Sequence, residues 1–427
     1  MSKLSRSGAT LVFLAFAFAY FFSALVRAVT ATLSPQLTQE FSLQARDLGL
    51  LAGGYFLGFS VMQLPLGRWL DKHGPKAVIL GFLIIAVMGC LAFASATGFA
   101  SLLLARVLSG VGLAACLMAP LTGFRRWMTP ASQLRANSWM LMSGSMGMVA
   151  STLPVQWLLP LVGWRPLFWG LAALLLLAML MLAWQVPAWP RADSKKVDAL
   201  GADVGVSGEV GEDSLLASYR PVWRHPYFRR MVPLGFFNYG GMVAMQTLWA
   251  VPWMIRVGGY TPMQAASSLF ALNLSMLLAF LCWGLLVPRL AQRGVHANQL
   301  ITWGTPLSLL VFGGVVLFGP AAEAQAGWLL TLFCVSSTFI SLAQPAVGMA
   351  FAADLAGRAL SAYNLVIFAG VFTVQWGVGL MIDAFTAAGL GAVKAYQGAL
   401  GVLWLFNLAS YAYFLSAKSD NQPQARA

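Results

Sequence analysis

The sequence predicts an all-α integral membrane protein whose twelve transmembrane helices form two six-helix bundles, and three observations predict it. First, 59% of the 427 residues are hydrophobic and 9% are charged, with a mean hydropathy of +0.76. A soluble fold has nowhere to hide that much apolar surface, whereas a bilayer absorbs it. Second, the apolar residues fall into runs of about 20, the length that carries a helix across a ~30 Å hydrocarbon core. Third, one polar stretch, 187–230, separates six such runs from six more.

The first run, 9–31, is too long for the apolar region of a cleaved signal and is interrupted by Tyr20 and Arg27, so it counts as a membrane helix. Runs at 48–66, 77–96, 99–122, 136–159 and 166–186 complete the N-terminal bundle, residues 1–186. The stretch 187–230 opens with Pro187 and Pro190 and carries a Gly- and acid-rich run at 201–214, the composition of a cytoplasmic linker, with a short surface helix at 215–224. Runs at 231–254, 264–287, 299–319, 327–349, 361–385 and 395–416 make the C-terminal bundle, 231–427, which ends in a short cytoplasmic tail.

An even number of spans puts both termini on one side. Twenty of the 26 Lys and Arg lie in the termini, the linker and the loops of that side, against Arg46, Arg165, Arg256 and Lys394 on the other. The positive-inside rule then makes both termini cytoplasmic and the chain a multi-pass protein of the inner (plasma) membrane. The net charge of +13 belongs to this topology and not to nucleic acid, because the cations sit in short loops beside apolar runs. Cys90, Cys116, Cys282 and Cys334 fall inside apolar runs without C-x-x-C spacing and are expected to pack as small apolar residues.

Between the second and third runs, the basic turn from Gly67 to Lys76 holds Asp71, the only carboxylate between Leu48 and Ala192, among Arg68, Lys72, His73 and Lys76. The spacing of Gly67, Asp71, Gly74 and Lys76 resembles the G-x-x-x-D-x-x-G-[RK] loop between the second and third helices of the major facilitator superfamily of transporters. In the fourth run Arg106, Gly110, Gly112 and Ala114 resemble that family's R-x-x-x-G-x-G-x-A, and Gly163-Trp164-Arg165 is a third match. Gly284 and Pro288, the counterparts of Gly67 and Asp71 in the second half, have lost the acid.

The resemblance implies duplicated bundles that rock around a mid-membrane site, opening it to one side and then the other. It implies that Asp71, with Gly67, Lys72 and Gly74, closes the cytoplasmic side by facing the positive N-terminal end of the eleventh span near Ser361. A guanidinium in hydrocarbon costs about 2.5–3.5 kcal/mol on insertion scales, so Arg106 must face protein or a wet cavity, with Gly110 and Gly112 giving close helix approach. Either it cross-links helices through carbonyls or it takes part in coupling.

In this family the first, fourth, seventh and tenth spans line the cavity. Tyr20, Ser23, Arg27 and Thr30 share one face of the first span, and Asn238, Met242, Met245, Gln246, Trp249 and Trp253 share one face of the seventh. Tyr55 and Gln63 on the second span, Asn273 on the eighth, Ser337, Ser341 and Gln344 on the tenth and Gln375 on the eleventh complete a polar pocket. The predicted substrate contacts are Tyr20, Arg27, Tyr55, Gln246, Trp249, Asn273, Gln344 and Gln375. Arg27 has no acid beside it along its own helix, which suits an anion held in a bidentate fork. Its competing role is an interface anchor, since it lies about 27 Å along the helix from Ala9 and is close enough to the outer surface to snorkel.

The resulting expectation is a secondary transporter of a small solute, an organic anion such as a carboxylate, working by alternating access as a monomer in the lipid bilayer. No cofactor is expected, and ATP is not the driver because no Walker loop is present. An intramembrane enzyme is disfavoured, because every carboxylate except Asp383 lies in a loop or tail, as do His73, His225 and His296. Asp383 itself is expected to cap or end its helix. The rival readings are a Cu(I) importer using the pairs Met142 and Met146, and Met242 and Met245; multidrug or metabolite efflux; and a transport-dead receptor or scaffold.

Overall fold

The computed structural model describes residues 5–188, 215–318, 321 and 325–417, and every regular element among them is helical. Nine helices of the described residues are long and apolar enough to cross a membrane, and a tenth span is made of Arg135–Ala150 and Leu153–Val162, bent by 46°. That bend has a local cause: Thr152 leaves helical geometry (φ −103, ψ −111) and Pro154 stands in the first turn of the second piece.

The remaining two of the twelve spans are interrupted helices. The second runs through Ala45–Val61 and continues from Gln63 to a kink at Gly74. The seventh runs from Pro226 to Arg256 and contains two π-helical turns, Leu234–Tyr239 and Met245–Trp249. Such breaks survive at membrane depth only where neighbouring protein covers them. The second π turn of the seventh span meets this condition, with Met242 to Met254 buried throughout.

The expected ten-residue turn after the second span is in fact helical, with only Gly74 outside helical geometry at φ 76, ψ 164. A side chain rarely tolerates that φ, and Pro75 then restarts the helix with the φ that its ring imposes. The second half breaks in the corresponding place at Gly294, φ 80, rather than near Pro288, which stays inside Pro262–Gln292. The acid-rich run 201–214 lies outside the described residues. A helix covers Leu215–Arg224, and the seventh span starts at Pro226, earlier than its apolar run.

Lipid offers helices no hydrophobic reason to associate, so close packing must hold them. In the N-terminal half the fourth span supplies it: a Cβ at Gly110 would collide with the backbone of Tyr55 on the second span, and one at Gly112 with the backbone of Ala86 on the third. Across the two halves the first span packs on the seventh, the second on the eleventh, and the fifth on the eighth. Cys90, Cys116 and Cys334 are buried as packing residues, while Cys282 is exposed on the bundle exterior.

Candidate functional site

Arg27 is part-exposed although Val26 and Ala28 beside it are buried. Its guanidinium lies between the halves and not at the outer surface, because Tyr20 of the first half is within hydrogen-bonding reach and Tyr55 of the first half and Tyr239 of the second are near enough to act on its charge. Nη2 also approaches the sulfur of Met148 at 3.6 Å. Neither of the ion pairs formed among the described residues, Arg46 with Asp47 and Arg165 with Glu40, involves Arg27. Its charge therefore stands free of any carboxylate among them.

Arg106 sits directly behind this group and is fully buried. Its Nη1 donates to the Val26 carbonyl at 2.8 Å and its Nη2 to the Arg27 carbonyl at 3.3 Å. The guanidinium lies 5.0 Å from the centre of the Tyr55 ring, a cation–π distance. Arg106 thus fixes the backbone from which Arg27 projects. The Tyr55 hydroxyl is buried and approaches Ser23 without a well-formed hydrogen bond. Its ring stacks on Phe59 at 6.1 Å, and Phe59 meets Phe368 of the eleventh span at 4.5 Å, an aromatic wall that joins the halves.

The other predicted contacts are engaged in holding helices together. Gln246 donates to Asn273 at 2.8 Å, tying the seventh span to the eighth, and Trp249 Nε1 donates to the Gln375 carbonyl at 3.1 Å, tying it to the eleventh. Gln375 Nε2 donates to Thr247 at 2.8 Å. Gln344 donates to Asn364, which donates to Gln63 at 3.3 Å, a chain that crosses the halves. Asn238 turns to the twelfth span and donates to Ser410 at 2.6 Å.

The single polar face expected on the seventh span is therefore not formed. Each π turn inserts an extra residue and rotates the rest of the helix by roughly 100°, so side chains that share a face at α spacing diverge. Tyr239, at the end of the first π turn, reaches Arg27 instead, and only the clash of its polar hydroxyl with an apolar run marks it in the sequence. The methionine pairs do not share an environment either: Met146 is 51% exposed on the bundle exterior, whereas Met242 and Met245 are buried.

At the face that carries the termini, Asp71 and Lys72 are exposed on the last turn before Gly74, and Asp71 makes no hydrogen bond or ion pair with the described residues. Gly67, one turn earlier, faces Ser361. Tyr219 of the short helix bridges the same place, donating to the Leu64 carbonyl at 3.4 Å. Burial pushes its phenol up, against a hydrogen bond to Ser361 and the charges of Arg358 and Arg68. At the opposite face Trp164 and Arg165 both hold Glu40, at 2.7 and 2.6 Å, anchoring the sixth span to the first.

Two interrupted six-helix halves with a free guanidinium between them define a secondary transporter. The family model of the Major Facilitator Superfamily matches residues 16–375, and the chain belongs to that family. It is 26% identical to the 3-(3-hydroxy-phenyl)propionate transporter of Escherichia coli (strain K12), over 92% of this chain and 90% of that one. It is 24% identical to the probable sulfoacetate transporter SauU of Cupriavidus necator, over 79% of this chain and 78% of that one. Among solved structures it is similar to a bacterial homolog of the human lysosomal transporter Spinster in an inward-facing, unoccupied conformation, with TM-score 0.76, 17% identity, and 97% and 98% of the two chains covered. The protein is a multi-pass membrane transporter that moves a small solute by alternating access, and it is not an enzyme.

Proposed function

We propose that the solute is an organic anion carrying a carboxylate, preferably on an aromatic body, and that Arg27 holds the acid group. The observation that carries this reading is a guanidinium with no carboxylate partner among the described residues, within hydrogen-bonding reach of Tyr20 and with Tyr55 and Tyr239 nearby. A planar fork of donors matches a carboxylate, and hydroxyls add further donors to its remaining lone pairs. The wall of Tyr55, Phe59 and Phe368 offers the ring its apolar contact. The two relatives support the charge, since the names of both describe organic anions as cargo. Purified protein should be stabilised against heating by 3-(3-hydroxyphenyl)propionate more than by sulfoacetate, and not by the corresponding neutral alcohol. Equal stabilisation by acid and alcohol would defeat the proposal.

The same proposal places the chain in the inner (plasma) membrane with both termini in the cytoplasm. A reporter active only in the cytoplasm should work when fused after Ala427 and when inserted near Gly208. Activity of a periplasm-specific reporter at either point would show that the span count is wrong by one.

Asp71 we assign to the cytoplasmic gate, with Gly67, Lys72 and Gly74 shaping its turn and Gly110 and Gly112 holding Arg106 in place behind the site. Asp71 is free of the other described residues in this state, so its charge is available to the N-terminal end of the eleventh span when that side closes. Asp71→Asn should cripple turnover, by about tenfold or more, while substrate binding and expression stay near wild type. Near-normal uptake by that variant would remove Asp71 from the cycle.

A further inference from the structure

The carboxylate of the eleventh span is already engaged, and its partner belongs to the other half of the molecule. Asp383 stands near the end of Ala353–Ala387, the eleventh span, where its position in the sequence suggests a cap or end for its own helix. Instead Oδ1 accepts the Ala45 amide at 3.2 Å and Oδ2 the Arg46 amide at 2.9 Å. Those are the first two residues of the second span. The backbone donors of that helix start divide neatly: the Gln44 amide goes to Asp47 within the same turn, at 3.0 Å, and the next two go to Asp383.

A carboxylate accepting first-turn amides satisfies groups that have no partner within the helix and also meets the positive end of the helix dipole. Here it does so across the interface that must open. Close packing reinforces the contact, because a Cβ at Gly379 would strike the Ala45 carbonyl and one at Gly49 the Gln375 carbonyl. A cavity of about 590 Å³ lies at this place between the first, second, seventh, eleventh and twelfth spans, lined among others by Ser34, Ala45, Arg256 and Asp383. Separation of the second and eleventh spans would connect that cavity to the interior. At the other face the acid of the basic turn, Asp71, has no partner among the described residues.

We infer that Asp383, by capping the second span across the two halves, is the residue that holds the face opposite the termini closed during transport. It touches no substrate; it positions one half against the other. When that face opens, both amides and the carboxylate are released to the water of the vestibule, which offsets part but not all of what the latch contributes, and the latch re-forms on closure.

The test reads gate opening without substrate. Ser34 is 2% exposed at the cavity, and Cys282 is the exposed thiol among the described residues. In a Cys282→Ser background, Ser34→Cys in nanodiscs, where a membrane-impermeant maleimide reaches both faces, should label slowly. Asp383→Ala should raise the labelling rate about tenfold, the effect expected from losing hydrogen bonds to a charged acceptor. Ala45→Pro removes one donor without disturbing the helix, because proline is accepted at a helix start and Gln44 already has the extended geometry (φ −77, ψ 170) that must precede it. It should raise the rate as well, and the double variant should label no faster than Asp383→Ala alone. Unchanged labelling in Asp383→Ala, or additive rates in the double variant, overturns the inference. Should Asp383→Ala fail to fold, Ala45→Pro decides by the same reading.

Discussion

Arg27→Ala should abolish saturable uptake of the organic anion while the protein still folds and inserts. The side chain contributes little to the fold, since its contacts are the Met148 sulfur and the Tyr20 hydroxyl and it forms no ion pair among the described residues. Truncating one partner of a desolvated, hydrogen-bonded charge pair costs about 2–5 kcal/mol, so affinity should fall by roughly 30-fold to several thousand-fold. Arg27→Lys keeps the charge and loses the fork, and a loss of about tenfold is expected. The two variants therefore separate geometry from potential, and uptake with thermal-shift titration measures both. Wild-type affinity and rate in both variants would leave Arg27 as an anchor and take away the main support for an anion. Impaired copper accumulation in Met142→Leu or Met242→Leu would then put the metal reading first.

Most of the fold was legible in the sequence because the bilayer makes the rules few. A backbone without water must satisfy its own hydrogen bonds, so apolar runs of span length have little choice but to become helices. The Arg27 cluster was legible in part for a related reason: Tyr20, Arg27 and Tyr55 are polar groups stranded in apolar runs, and helical spacing puts Tyr20 and Arg27 on one side. Tyr239 was hidden by the π turns at Leu234–Tyr239 and Met245–Trp249, which the apolar pattern does not register. Asp383 was visible as an intramembrane acid, but its partners are amides more than 330 residues away in the chain, and backbone donors leave no mark in composition. The basic turn at Gly67 to Lys76 looks like a loop because its charges are those of a loop. Helix propensity of such residues is ordinary, and only Gly74 demands a break.

Arg106 separates stability from function, and Arg106→Met is the variant that does it. Removing the guanidinium recovers an insertion cost of about 2.5–3.5 kcal/mol and gives up two hydrogen bonds of a charged donor worth about 1.5–3 kcal/mol each, so the first term offsets much of the second. Methionine fills most of the vacated volume, whereas Arg106→Ala would add a cavity cost of about 2–5 kcal/mol beside Gly110 and Gly112. Thermal stability of the methionine variant should accordingly fall only modestly, and less than that of the alanine variant. The site loses more. Two unit charges at an effective dielectric constant of about 20 interact by about 4 kcal/mol at 4 Å and by proportionally less farther apart, so deleting the cation behind Arg27 should weaken anion binding by roughly tenfold or more. The carbonyls of Val26 and Arg27 also lose the clamp that aims the guanidinium. A folded methionine variant with a Kd raised to that extent would make Arg106 part of the anion site's electrostatics. One with wild-type Kd would reduce it to a cross-link between the first and fourth spans.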